Sequence, residues 1–183
     1  MSRTEFAKPY PAPISTGIVA LDFALGGGLR MPLNVAIIGA PGSGKTTLLR
    51  RIADAVKVVP SIDACLEETL VKAVARDLEH APIVLLDGDF AIRPLDWWET
   101  AKLRHDRLLI ACVHVGDTTV SKVVSARTRR RGPVIAHEFD VVLWIRTVTT
   151  AELRISNGEP GRRFTVVKVL KNRFGPVDMQ VAI

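Results

Sequence analysis

Cysteine is scarce in this chain: two in 183 residues, Cys65 and Cys112, each inside an apolar run and without the paired spacing of a metal site. That pattern excludes a disulfide framework and a cysteine-based zinc module, and predicts two buried reduced thiols. Aromatic residues make up only 5%. No apolar run approaches the ~20 residues of a membrane span, and Met1 to Pro13 lacks the basic-then-apolar order of a secretory leader. The expectation is a cytoplasmic protein with no membrane partner. Acids are missing from two stretches. Between Asp117 and Glu138 lie Lys122, Arg127, Arg129, Arg130 and Arg131, and between Glu159 and Asp178 lie Arg162, Arg163, Lys168, Lys171 and Arg173. Outside these ten cations the chain is net acidic, so the overall charge of +6 is local, and two concentrated patches imply an anionic partner such as nucleic acid or nucleotide. The 48% hydrophobic content suffices for one substantial core and not comfortably for two.

What the sequence does hold is a complete G-x-x-x-x-G-K-[ST] string, Gly39-Ala40-Pro41-Gly42-Ser43-Gly44-Lys45-Thr46. It follows an apolar run, Asn34 to Ile38, and precedes Thr46 to Val56, where Leu48, Leu49, Ile52 and Val56 recur at helical spacing. A strand, a glycine-rich turn and a helix in this order form a polyphosphate cradle. The glycines let backbone N–H groups converge on the anion at the positive end of the helix dipole. Lys45 then reaches the β- and γ-phosphates as a point charge, the Thr46 hydroxyl suits Mg²⁺, and Thr47 falls near the α-phosphate. Further along, Ile83-Val84-Leu85-Leu86-Asp87 has the Walker B pattern of a buried strand ending in a carboxylate, so Asp87 is the candidate for the Mg²⁺ hydration shell, with Asp89 its neighbour.

Residues 1–13, polar with prolines at 9, 11 and 13, read as a flexible extended arm. A short helix is expected from Thr16 or Gly17 to the three glycines 26–28. Val58 to Leu66 reads as a strand, followed by a helix to about Glu79. Pro94 to Arg107 reads as a helix whose Trp97 and Trp98 pack on the sheet. Leu108 to Val115, Phe139 to Arg146 and Arg163 to Leu170 read as strands, and Val177 to Ile183 closes a hairpin on the last of them.

The string Ser15-Thr16-Gly17-x-x-x-Leu21-Asp22-x-x-Leu25-Gly26-Gly27-Gly28-Leu29 ahead of the phosphate loop resembles the opening of the RecA-like ATPase core. The resemblance is greatest to the RadA/Sms branch, with RecA recombinases and DnaB-type helicases as relatives. It is strong from Ile14 to Ile52 and again from Leu109 to the C-terminus. It implies that Glu67 or Glu68 orients the attacking water, with Asp63 the substitute if Pro60 shifts the strand. It implies a γ-phosphate sensor at His114, and a DNA-facing loop within Thr118 to Ala136 carrying Lys122, Arg127, Arg129, Arg130 and Arg131. Asp140-Val141-Val142-Leu143 is similar to the Asp-x-Val-Leu that follows that loop in RadA. The string Lys171-Asn172-Arg173-Phe174-Gly175 is similar to the RadA hallmark, in which the lysine and arginine reach the nucleotide of an adjacent subunit. The four-cysteine zinc module and the protease-like domain of RadA have no counterpart in this sequence, so a compact core is the expectation.

The resulting expectation is a three-layer α/β/α RecA-like P-loop NTPase core over residues 14–183, with a mainly parallel sheet and a C-terminal antiparallel hairpin. The expected activity is ATP hydrolysis with Mg²⁺, coupled to single-stranded or branched DNA and carried out by a homo-oligomeric ring or filament. Two other readings compete: a nucleotide-switched regulatory protein with slow hydrolysis, and a nuclease on branched DNA, for which the sequence offers no metal cluster beyond the Walker acids.

Overall fold

The computed structural model describes residues 12–56, 62–63, 83–87, 108–115, 139–149, 151–152 and 163–183. Expectations resting on Cys65, Glu67, Glu68, Trp97, Trp98, Lys122, Arg127, Arg129, Arg130 and Arg131 lie outside the described residues, as does most of the arm.

The apolar run before the phosphate loop forms β1, Leu33–Gly39, in which Val35, Ala36, Ile37 and Ile38 are wholly buried. A strand buried on both faces belongs in the middle of a sheet covered from two sides. It is fourth of seven, in the order β2-β3-β4-β1-β5-β6-β7. The other members are β2 (Ile62–Asp63), β3 (Ile83–Asp87), β4 (Leu108–His114), β5 (Val141–Thr149), β6 (Arg163–Asn172) and β7 (Gln180–Ala182). From β2 through β5 neighbouring strands run parallel, while β5, β6 and β7 pair antiparallel, so the sheet is mixed. The architecture is α/β and compatible with a RecA-like core.

Two helices, α1 (Val19–Leu25) and α2 (Lys45–Val56), pack one side. Leu21, Ala24 and Leu25 of α1 and Leu48, Leu49, Ile52 and Ala53 of α2 close over Val35, Ile37, Leu108, Ile110, Cys112, Leu143, Ile145 and Val167. Each fully buried leucine or isoleucine contributes roughly 1.5–3 kcal/mol relative to exposure. The opposite face, with Ala36, Ile38, Leu109, Ala111, Val142 and Val166, is also buried. Cys112 lies buried in the core.

Helix α1 starts two or three residues later than its sequence pattern suggests, and the reason lies in Asp22. Ile18 holds the N-cap position and has no side chain to cap with. Asp22, one turn into the helix, reaches back: its carboxylate accepts hydrogen bonds from Thr16 N–H (2.8 Å), Thr16 Oγ1 (2.7 Å) and Ser15 Oγ (2.6 Å). The Ser-Thr-Gly-x-x-x-Leu-Asp string is therefore a folding device that fixes the chain's entry to the core. Thr16 is wholly buried. Asp22→Ala should cost about 2 kcal/mol in urea unfolding, because it leaves the buried Thr16 donors without their acceptor. A change under a few tenths of a kcal/mol would show that water replaces the carboxylate.

Strand β6 runs two residues beyond the expected Leu170, so Lys171 and Asn172 belong to the ladder and only Arg173 and Phe174 form the turn. The extension is possible because Val141 and Val142 continue the pairing across a register shift between Val142 and Leu143. Strand β7 is correspondingly short, starting at Gln180, since Asp178 turns the chain with a positive φ of 61°. At the other end of β5, the Glu152 carboxylate accepts from Thr149 N–H at 2.9 Å and pairs with Arg146 at 3.1 Å. The Thr149 hydrogen bond, more than the Arg146 charge, holds that carboxyl below its ordinary range.

Candidate nucleotide site

Gly39 ends β1, so the first residue of the phosphate loop is still in the ladder, one step further than the apolar run predicts. Its neighbours leave no room for a side chain: a Cβ there would lie 2.4 Å from the Ile145 carbonyl oxygen and 2.7 Å from Ser43 Oγ. The chain then turns through Gly42 and Gly44, both at positive φ (74° and 99°), and enters α2 at Lys45. These left-handed glycines turn the backbone back on itself to make the cradle. Ile145 and Thr165, from β5 and β6, wall the loop beside Gly44.

Lys45 is only 5% exposed, and its Nζ donates to the carbonyls of Gly39 (2.9 Å) and Ala40 (2.7 Å). Burying an ammonium is costly unless it is well hydrogen-bonded, and here the loop itself supplies the acceptors. Ser43 Oγ is also buried and makes no hydrogen bond. An unsatisfied hydroxyl next to a buried cation, at the N-terminus of a twelve-residue helix, fits a polyphosphate in chemical type. Thr46 is half-buried in the first turn of α2 and Thr47 is exposed beside it.

The strand register brings further sequence-selected residues to this end of the sheet. His114, the last residue of β4, pairs with Gly39, and Val115 N–H donates to the Gly39 carbonyl at 3.1 Å. His114 is exposed at the end of β4. Asp87 ends β3 on the same side, one residue past the Leu86–Ala111 pair. Asp63, the alternative carboxylate, is its register partner on β2. Thr46, in the first turn of α2, and Asp87, at the end of β3, are the sequence's candidates for Mg²⁺. Among the described residues no cluster of three or more His, Cys, Asp or Glu is built for a metal. No helix among them is long and apolar enough to cross a membrane.

Lys171 and Arg173 are not brought to this site. Asn172 pairs with Val141 at the start of β5, and Asp140, just before it, bonds Asn34 at the start of β1. Five residue steps along β1 lead from Asn34 to Gly39, roughly 16 Å at the rise of a strand. Arg173 therefore sits at the opposite end of the sheet from Lys45 of its own chain.

The loop carrying Arg173 is locked to α1. Asn172 Nδ2 donates to the Leu25 carbonyl at 3.2 Å, and Asn172 Oδ1 accepts from Phe174 N–H at 3.1 Å. Gly175 passes so close that a Cβ would lie 2.6 Å from both Asn172 Nδ2 and the Leu25 oxygen. The two strings that carry the family resemblance thus touch: the glycine-rich end of α1 seats the Lys-Asn-Arg-Phe-Gly turn. Sequence reasoning gave no role to Asn172 or to Asp140, whose carboxylate pairs with Arg173 at 3.1 Å. An asparagine between two cations is a signal for such a lock, since it offers both a donor and an acceptor.

Comparison with known proteins follows the same outline. No family model matches the chain. Over 103 residues, 52% of this chain, it is 41% identical to Protein RecA of Crocosphaera subtropica, covering 30% of that protein. Over 90 residues it is 38% identical to Protein RecA of Trichodesmium erythraeum and of Arthrospira platensis, covering 25% of each. The chain thus spans less than a third of the length of these curated relatives, and the shared part supports a RecA-like core.

Proposed function

We propose that this chain is an Mg²⁺-dependent ATP hydrolase on a three-layer RecA-like core, residues 14–183, that couples hydrolysis to binding or remodelling DNA in recombination or repair. The carrying observation is Lys45, buried at the mouth of α2 inside a glycine loop that ends a central strand. The similarity to proteins named RecA supports the same reading, and the Lys-Asn-Arg-Phe-Gly turn favours kinship with RadA and DnaB-type proteins. In this reading the loop N–H groups and Ser43 hold the phosphates, and Lys45 offsets their charge. Thr46 and Asp87 would hold Mg²⁺, whose charge would offset that of the phosphoryl oxygens. His114 senses the γ-phosphate, Glu67 or Glu68 orients water, and the carboxylate accepts a hydrogen bond from it. Steady-state ATP hydrolysis with and without single-stranded DNA tests the proposal: turnover stimulated by DNA is expected, and no hydrolysis in either condition overturns it.

The reading assigns the acidic pair a separable role. Glu67→Gln or Glu68→Gln should bind ATP normally and hydrolyse it at least about tenfold more slowly, because the amide keeps the shape and loses the basicity. If single-turnover assays show neither slowed, water is oriented elsewhere, with Asp63 next to test.

Lys122, Arg127, Arg129, Arg130 and Arg131 form the nucleic-acid contact in this reading. Replacing Arg129, Arg130 and Arg131 with alanine should weaken single-stranded DNA binding for all sequences alike. Each lost phosphate contact should reduce the salt dependence of log K by about 0.7. An unchanged slope in a fluorescence-anisotropy titration would remove the cluster from the interface.

The position of Arg173 supports a homo-oligomer whose sites lie between copies, and we place it in the cytoplasm. The large hydrophobics exposed among the described residues are Val19 and Phe23 of α1 and Phe174 and Val177 of the turn that the end of α1 seats. Exposed apolar side chains of this kind suit burial against another chain. The same separation of Arg173 from Lys45 favours, for an unassembled subunit, the second reading of a nucleotide switch with slow hydrolysis.

A further inference from the structure

Asp140 stands where three segments meet. Its N–H donates to the Asn34 carbonyl at 2.8 Å, and its Oδ2 accepts from Asn34 N–H at 3.1 Å, which ties residue 140 to β1. Its other oxygen, Oδ1, accepts from Arg173 Nη1 at 3.1 Å, and its carbonyl accepts from Arg173 N–H at 3.1 Å. One residue earlier, the Phe139 carbonyl accepts from Lys171 Nζ at 2.5 Å. Two consecutive residues just before β5 therefore hold Lys171 at the end of β6 and Arg173 in the turn. The Asp140 side chain is 22% exposed and that of Arg173 68%, with the guanidinium 5.5 Å from the Phe174 ring. Among the described residues the guanidinium is supported by one N–H bond to Asp140 and one ring face. A guanidinium has five N–H donors, so most of its fork is open to a second anion.

We propose that Asp140 and Phe174 are positioning residues that hold the Arg173 guanidinium extended toward a phosphate bound by a second copy of the chain. The inference rests on the composite-site reading above and adds to it the residues that set the arginine's geometry. An exposed ion pair of this sort contributes only about 0–1 kcal/mol to folding, so the fold does not depend on it. Its effect lies in orientation: a flexible arginine loses conformational freedom on reaching the phosphate, and one already held loses less. Asp140→Asn separates the two duties of the carboxylate. The single amide oxygen satisfies Asn34 N–H, which turns the NH₂ group, a donor, toward the donors of Arg173. The tie to β1 survives and the hold on Arg173 does not.

The test is steady-state ATP hydrolysis by the full chain. Asp140→Asn should lower kcat at least about tenfold while KM for ATP stays within about twofold, the pattern of an interaction made only in the transition state. Asp140→Asn combined with Arg173→Ala should be no slower than Arg173→Ala alone. Mixing Asp140→Asn with Lys45→Ala should recover turnover, since the second variant brings a well-held Arg173 to the first variant's intact loop. If Asp140→Asn does not fold, Phe174→Ala removes the ring from an exposed turn and must show the same loss and the same recovery. An unchanged kcat, a double variant slower than Arg173→Ala, or a mixture that stays inactive would each overturn the proposal, because Asp140 would then act within its own subunit or not at all. Normal turnover by Arg173→Ala alone would instead overturn the composite site, and the positioning role with it.

Discussion

Lys45→Ala should reduce ATP turnover by at least about 10²-fold, the cost of removing one preorganised charge-stabilising group, and should abolish tight nucleotide binding. The effect is large because the ammonium is already inside the loop, 5% exposed and bonded to the Gly39 and Ala40 carbonyls, so no other cation takes its place without rebuilding the turn. The fold should survive: helix α2 is anchored by Leu48, Leu49 and Ile52, all at 0–1% exposure, and none of them depends on the lysine. Circular dichroism and a melting curve close to those of the unsubstituted chain, together with loss of phosphate release, are the expected pair of results. Retained turnover at the unsubstituted level would sink the hydrolase reading.

Arg173→Ala should bind ATP nearly as well as the unsubstituted chain and lose most of its turnover, with a ceiling of about 10³–10⁵-fold taken from arginine fingers. The expectation follows from where the arginine sits. It is two-thirds exposed, held by Asp140, and at the far end of the sheet from its own Lys45. A group that stabilises charge developing on a transferring phosphoryl does nothing for the ground state, so kcat falls and KM does not. Parallel loss of ATP binding would mean that the residue supports the local fold and does not complete a site.

The phosphate loop was legible because its chemistry is local. Eight consecutive residues, a strand before and a helix after define it without any long-range contact, and the structure moves its boundaries by one residue, with Gly39 still in β1 and Lys45 already in α2. The order and direction of the strands were only partly legible. Apolar runs mark Leu33–Gly39 and Leu108–His114 as buried, but β1 lies between β4 and β5, and no single run carries that adjacency. Asp140 went unread for the same reason. Its partners, Asn34 and Arg173, lie 106 and 33 residues away in sequence, and an aspartate read inside the strand Phe139 to Arg146 as part of a family string shows no partner until the sheet is assembled. The Ser-Thr-Gly opening was legible as a family mark and not as a mechanism. Its hydrogen bonds to Asp22 give the string its structural purpose in this chain.

A site completed by a second copy makes one demand that no single-chain enzyme makes. Lys45→Ala carries an intact Arg173 and a defective loop, and Arg173→Ala carries the reverse. In a head-to-tail assembly of the two in equal amounts, about one interface in four joins an intact loop to an intact arginine. Phosphate release by the equimolar mixture, measured against each variant alone at the same total concentration, should rise well above both and should climb further as the protein is concentrated. A mixture no more active than its components, with turnover per chain independent of concentration, would contradict a site shared between copies.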